Sequence, residues 1–202
     1  MSSEEYDIGS DIERAIRLTA SRVYAIYSKD SRSREARAIV AARIKQQVKK
    51  SFQTEAMRNG VILEPIALDE AQIKLGIFID TTKFKPHKKI PMFGATPDGQ
   101  VQGTNDLVEV KCMQDDGHLK FAETGKIPLQ YQRQMLAQCS VYGSRKVHFV
   151  AFNPSYEGDL RLVTKLFEPS EEDIKDFEED VILFLEEVDK LEINLRSKID
   201  GK

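Results

Sequence analysis

Apolar residues change their spacing twice along this chain. Up to about residue 75 they recur at helical intervals, between residues 77 and 167 they gather into short strand-like runs, and after Ser170 the helical interval returns. Ile12, Ala15 and Ile16, then Val23, Ile26 and Tyr27, predict two short helical segments broken near Thr19. Ser10-Asp11-Ile12-Glu13 has capping-box spacing at the first. Residues 28–33 read as a polar loop. Ile39, Val40, Ile44, Val48 and Phe52 form the stripe of a long helix over about 34–57, which Asn59-Gly60 ends. Pro65 suits the first turn of a further helix over 65–75, placing Glu64 at its start.

The strand-like runs cover 77–80, 90–93, 107–112, 147–152 and 160–167, and together predict one central sheet. Residues 129–141, between the third and fourth runs, carry Gln130, Gln132, Gln134 and Gln138 on a helical pattern. The last segment, 170–195, sets Ile174, Phe177, Val181, Phe184, Leu185, Val188 and Leu191 at helical spacing behind the cap Ser170-Glu171-Glu172-Asp173. The expected architecture is α/β, a central mixed sheet flanked by helices. The expected organisation is a single domain over 1–202: a helical part (1–60), a core (61–167) and an acidic helix (168–202).

Composition narrows the classes. No apolar run approaches the roughly 18 residues of a membrane span, and the acidic Met1-Ser2-Ser3-Glu4-Glu5 lacks a signal-peptide pattern, so a cytoplasmic protein is expected. Cys112 and Cys139 are isolated and His87, His118 and His148 scattered, which argues against a disulfide framework, a zinc cluster or an iron–sulfur centre. The net charge of −3 hides an asymmetry: residues 168–202 hold 13 acids and 5 bases, residues 1–167 hold 20 acids and 25 bases. A mildly basic body is thus joined to an acidic tail, whose simplest reading is a solvated helix face. Lys83, Lys85, His87, Lys88 and Lys89 form a basic loop able to track a DNA backbone, as are Arg32 and Arg34 ahead of the long helix, although solvated loops are the simpler reading. Tyr24, Tyr27 and Phe52 read as core.

The chemistry concentrates in Thr96-Pro97-Asp98-Gly99, which reads as a turn, and in Leu107-Val108-Glu109-Val110-Lys111 ten residues on. Strand alternation puts Glu109 and Lys111 on one face, interrupting an apolar run where an ionised pair costs desolvation free energy unless paired or bound to a metal. Asp98 and Glu109 supply hard oxygen ligands for a divalent cation, with the Lys111 ammonium within reach of a water or phosphate beside it. That combination points to metal-assisted phosphodiester hydrolysis.

Over residues 10–190 the sequence resembles the PD-(D/E)XK nuclease superfamily, and within it the phage recombination exonucleases of the lambda exonuclease or YqaJ type. Gly60-Val61-Ile62-Leu63-Glu64 is similar to the family's Gly-x-x-x-Glu element, Thr96-Pro97-Asp98-Gly99 to its Ser-Pro-Asp-Gly, and Leu107 to Cys112 to its Leu-Glu-x-Lys-Cys strand. Tyr131-Gln132-Arg133-Gln134 is similar to its Tyr-x-x-Gln, and Arg14 stands five residues before Thr19-Ala20-Ser21 at the family's spacing. The Trp that usually precedes that Arg is absent, and Ile16 replaces the usual Gly after it.

The resemblance implies Mg²⁺, with Mn²⁺ substituting, held by Asp98, Glu109 and the Val110 carbonyl, and Glu64 supporting a second ion or an outer water. It implies that Lys111 orients or deprotonates the attacking water and that Gln134 bonds Lys111 or the scissile phosphate. Arg14, Ser21 and Thr96, with Tyr131 and Arg32 nearby, are the implied 5′-phosphate and DNA contacts. The implied activity is 5′-to-3′ digestion of one strand at double-stranded DNA ends, leaving 3′ overhangs for recombination. A ring-shaped homotrimer, a single-strand annealing protein and a phage or prophage origin in a bacterial host are implied with it. The alternatives are another PD-(D/E)XK endonuclease, structure-specific or restriction-like, or a non-catalytic DNA-binding scaffold.

Overall fold

A computed structural model describes residues 8–47, 55–199 and 201. Helix α1 (Ile8–Ala15) leads into strand β1 (Leu18–Thr19), a 3₁₀ helix (Ala20–Tyr27) and helix α2 (Lys29–Lys45). Helix α3 (Glu55–Leu75) precedes the strands β2 (Ile79–Asp80), β3 (Lys85–Pro86), β4 (Phe93–Ala95), β5 (Gly99–Val101) and β6 (Leu107–Cys112). Helices α4 (Asp115–Thr124) and α5 (Leu129–Tyr142) carry the chain to β7 (Val147–Phe152), β8 (Leu162–Phe167) and the long α6 (Glu171–Ile199).

The strands form two sheets where the apolar pattern predicts one. The larger has order β2-β5-β6-β7-β8, with β6 and β7 parallel and the other neighbours antiparallel; the smaller has order β1-β4-β3. Of the run predicted at 90–93 only Phe93 is in a strand: residues 90–92 form an irregular turn, and β4 of the small sheet begins at Phe93. The strands of that sheet are two or three residues long, too short to show a period of two. In β6 the two faces separate cleanly. Val108 and Val110 pack with Ala67 and Ala71 of α3, whereas Leu107 packs with Met135 and Cys139 of α5 on the opposite face. A third apolar cluster joins the 3₁₀ helix, α2, α5 and α6 around Phe93, Phe177 and Phe184.

Several helix boundaries differ from those the pattern predicts. Helix α1 already includes Ser10, so the Ser10–Glu13 box does not open it. The polar stretch 28–33 is the first turn of α2, with Arg32 N–H donating to the Ser28 carbonyl. Gln46 caps α2 in the left-handed conformation, so the single helix over 34–57 is two, and Val48 and Phe52 of its stripe lie outside the described residues. Asn59-Gly60 and Pro65 lie inside α3, which puts Glu64 in mid-helix instead of at a start. Among the described residues no helix is long and apolar enough to cross a membrane.

Candidate active site

The site assembles at the C-terminal end of β6, where the helix layers on both faces of the sheet reach the strand. Glu109 and Lys111 follow Leu107 onto the α5 face. Glu109 is 0% exposed, and an unpaired carboxylate there would be costly by several kcal/mol. It is fully engaged: Lys111 Nζ and Gln134 Nε2 (2.5 Å) donate to Oε1, and Gln138 Nε2 donates to Oε2. Gln134 thus bonds Glu109, where the resemblance assigned it to Lys111 or the phosphate. Gln138, one turn further along α5, is a partner that the sequence does not single out; its i+4 spacing from Gln134 is the available signal. The Lys111 ammonium lies 5.4 Å from the centroid of the Tyr131 ring, which stacks on Phe149.

Asp98 arrives from the other side of β6. Thr96 to Asp98, with a bend at Asp98, forms the short link between the two sheets and leads directly into β5. The Pro97 carbonyl accepts from Thr82 Oγ1, and the Asp98 N–H donates to the Val108 carbonyl at 3.1 Å. Asp98 Oδ2 accepts the Val110 N–H at 2.7 Å. The carboxylate is therefore pinned to the backbone between Glu109 and Lys111. Glycine at 99 is a packing requirement, since a Cβ there would stand 2.2 Å from Ile79 Cγ2 on the neighbouring strand.

The electrostatics follow from crowding. Burial, then repulsion from Glu109, raises the Asp98 pKa well above the usual carboxylate range, with Lys111 offsetting part of it. Burial and Glu109 also raise Glu64, which reaches the site from α3. Burial works against the Lys111 cation, but Glu109 and Asp98 outweigh it and raise its pKa. In this arrangement Lys111 is therefore an ammonium, a charge and a hydrogen-bond donor. Cys112 is pushed up to about 11 by burial and by Glu64, which makes it a neutral thiol.

Three carboxylates thus face one ammonium, a surplus of negative charge that a divalent cation fits. All their donors are hard oxygens, which suits Mg²⁺ or Mn²⁺ over zinc. Among the described residues no three His, Cys, Asp or Glu side chains already converge as a ligand cage. The fit rests on Asp98 and Glu109, with Glu64 adjacent.

A second cluster lies two residues upstream of Asp98. Arg14 Nη1 donates to Thr96 Oγ1 at 3.3 Å, which brings together residues 82 positions apart. Ser21 Oγ lies 3.4 Å from Thr19 Oγ1 and is exposed. Arg22, which no sequence motif points to, braces this corner. Its guanidinium donates to Thr19 Oγ1 (3.2 Å) and to the carbonyls of Arg14 and Arg17, and pairs with Glu35 at 3.0 Å. Burial, only partly offset by Glu35, lowers its pKa. Arg32, by contrast, grips Glu187 of α6 through two 2.9 Å bonds and the Ile26 carbonyl through a third. In the basic loop, His87 is buried and its Nδ1 accepts the N–H groups of Lys89 and Ile90, while Lys88 and Lys89 are exposed.

Solved structures of similar shape carry the same fold. An alkaline exonuclease, LHK-Exo from Laribacter hongkongensis, superposes with a TM-score of 0.89 at 28% identity, covering 96% of this chain and 98% of its own. The same protein solved in complex with dAMP matches equally well. A phage-related exonuclease from Haemophilus somnus 129PT, at 15% identity and a TM-score of 0.68, covers 89% of this chain and 96% of its own and shares the fold. No significant match is found among curated protein sequences. Residues 12–145, which hold Arg14, Thr96, Asp98, Glu109, Lys111 and both glutamines, match the YqaJ-like viral recombinase domain, and the chain belongs to that family.

Proposed function

We propose that this chain is a Mg²⁺-dependent 5′-to-3′ exodeoxyribonuclease that degrades one strand of linear double-stranded DNA and leaves 3′ overhangs for phage-type recombination. The observation that carries the reading is the adjacency of two clusters on one short link. Thr96, bonded to Arg14, precedes by two residues the Asp98 that meets Glu109 and Lys111. A site that grips a terminal phosphate beside one that hydrolyses the next phosphodiester bond is what end-directed digestion needs. The similarity to an alkaline exonuclease solved with the mononucleotide dAMP supports the same reading.

Asp98, Glu109 and the Val110 carbonyl would hold Mg²⁺ or Mn²⁺, with Glu64 supporting a second ion or an outer water. When bound, such an ion activates water and stabilises charge developing at phosphorus. Arg14, Thr96 and Ser21 hold the 5′ phosphate by charge-assisted hydrogen bonds. Lys111 donates a hydrogen bond that orients the attacking water and offsets the phosphate charge. Gln134 keeps Glu109 aligned, and Tyr131 lies over the ammonium. Water adds at phosphorus, the 3′ oxygen of the terminal nucleotide leaves with a proton, and a 5′ mononucleotide is released. The mildly basic body holds duplex DNA better as three copies in a ring, and a single-strand annealing protein would take the exposed 3′ strand.

Digestion of linear duplex carrying a 5′ phosphate on one strand only, in Mg²⁺ and in EDTA, tests this directly. The expected result is selective, Mg²⁺-dependent loss of the phosphorylated strand as mononucleotides, with closed-circular DNA untouched. Cutting of closed circles, or equal loss of both strands, overturns it.

A further inference from the structure

We infer that Gln138 is a positioning residue for Glu109, acting as a buried clamp on the carboxylate oxygen that Lys111 and Gln134 leave free. The inference rests on the nuclease reading above and adds a residue outside the Tyr131-to-Gln134 element.

The geometry is asymmetric. Oε1 of Glu109 takes both Lys111 and Gln134, whereas Oε2 takes Gln138. Of the two glutamines, only Gln138 is 0% exposed, so no water replaces its contact when it is removed. Its amide orientation is set by charge: the NH₂ must face the carboxylate, since the amide oxygen there would repel it. The cost of that choice is visible at the other end of the amide. Gln138 Oε1 is buried and has no hydrogen-bond partner, a net cost for a polar atom. A glutamine kept only to fill core volume between α5 and β6 would be better replaced by methionine. The position holds a donor aimed at Glu109 despite the stranded acceptor, which is the pattern expected where carboxylate orientation matters more than stability.

Gln138→Met keeps the length and volume of the side chain while removing both the donor and the orphaned oxygen. Three measurements on the full-length protein decide the matter: the melting temperature in EDTA, Mn²⁺ binding by titration calorimetry without DNA, and kcat and KM on linear duplex. The expected outcome is a folded chain whose melting temperature in EDTA changes little, because loss of the donor to Glu109 Oε2 offsets relief of the orphaned Gln138 oxygen, with Mn²⁺ affinity and kcat each lowered about 10- to 100-fold and KM for DNA little changed. Gln138→Asn, one methylene too short to reach Oε2, should lose affinity and kcat similarly. A Gln138→Met chain that melts much lower or fails to fold makes the residue structural and overturns the inference, as do two folded variants with unaltered affinity and kcat. If the unaltered chain itself releases no nucleotide, the nuclease reading falls instead, and the Mn²⁺ titration still decides whether Gln138 orients Glu109.

Discussion

Asp98 sits in a carboxylate cluster whose members disfavour one another's ionisation, and the stability of the protein should record it. Its folded-state pKa is raised by burial and by Glu109, while in the unfolded chain it returns to about 3.9. Between those two values the folded state binds more protons than the unfolded state, so stability falls as pH rises through the window and stays low above it. Asp98→Asn removes that liability and keeps an oxygen to accept the Val110 N–H. In EDTA at about pH 8 the variant should melt higher than the unaltered protein, by roughly 2–4 °C for each kcal/mol relieved, with the gap closing toward about pH 4. Nuclease activity should be lost at every pH. A lower melting temperature for Asp98→Asn in EDTA would mean that the carboxylate stabilises the fold. Most of this site is legible in the chain. Glu109 and Lys111 declare themselves as charges in an apolar strand, whereas the Gln138 contact is hidden because its partner lies 29 positions away.

At the scale of elements, what the sequence announces depends on burial. Strands β6 and β7 begin and end where the apolar pattern places them, because both faces are covered and each position has only one acceptable character. Helix α5 also starts where predicted and ends one residue later. Helix α4 is not legible: its two buried residues, His118 and Phe121, are too few to establish a period, and Gly117 precedes them directly. Helix α3 departs from its pattern for a related reason. It runs through Asn59, Gly60 and Pro65, residues that ordinarily mark boundaries, since packing of Ala67 and Ala71 against β6 sustains the helix. Gly60 offers a test. A Cβ added there would meet no atom within 4 Å, and the backbone at this position is not left-handed. Gly60→Ala should therefore stabilise the protein by about 0.5–1 kcal/mol, seen as a rise in melting temperature. Were Asn59-Gly60 the helix terminus that the dipeptide suggests, alanine in a left-handed cap would lower it.

Over the whole molecule, the acidic tail is largely a solvated helix face, but three of its acids also serve as counter-charges to α2. Helix α6 places Glu187 against Arg32, and Asp189 and Glu192 against Arg43, so the N-terminal helices that bear Arg14 are fastened to the last element of the chain. Arg43 is the least replaceable of these cations. Its side chain is 10% exposed, donates to Asp189 at 2.7 Å and Glu192 at 3.0 Å, and also holds the Ile16 carbonyl at 3.0 Å. Removing it strands a carbonyl and the mostly buried Glu192, which Arg196 alone then partners. Arg43→Met should cost about 2 kcal/mol, lowering the melting temperature by roughly 4–8 °C. Because the pair is largely shielded, the loss should persist in about 1 M NaCl. Lys175→Gln breaks an exposed pair within α6, 3.9 Å long, and should change stability by under about 0.5 kcal/mol. Equal melting temperatures for the two variants would show that α2 and α6 are held by their apolar cluster alone. A larger loss for Arg43→Met, with slower digestion of 5′-phosphorylated ends, would tie the charge division of the chain to the placement of its phosphate-binding corner.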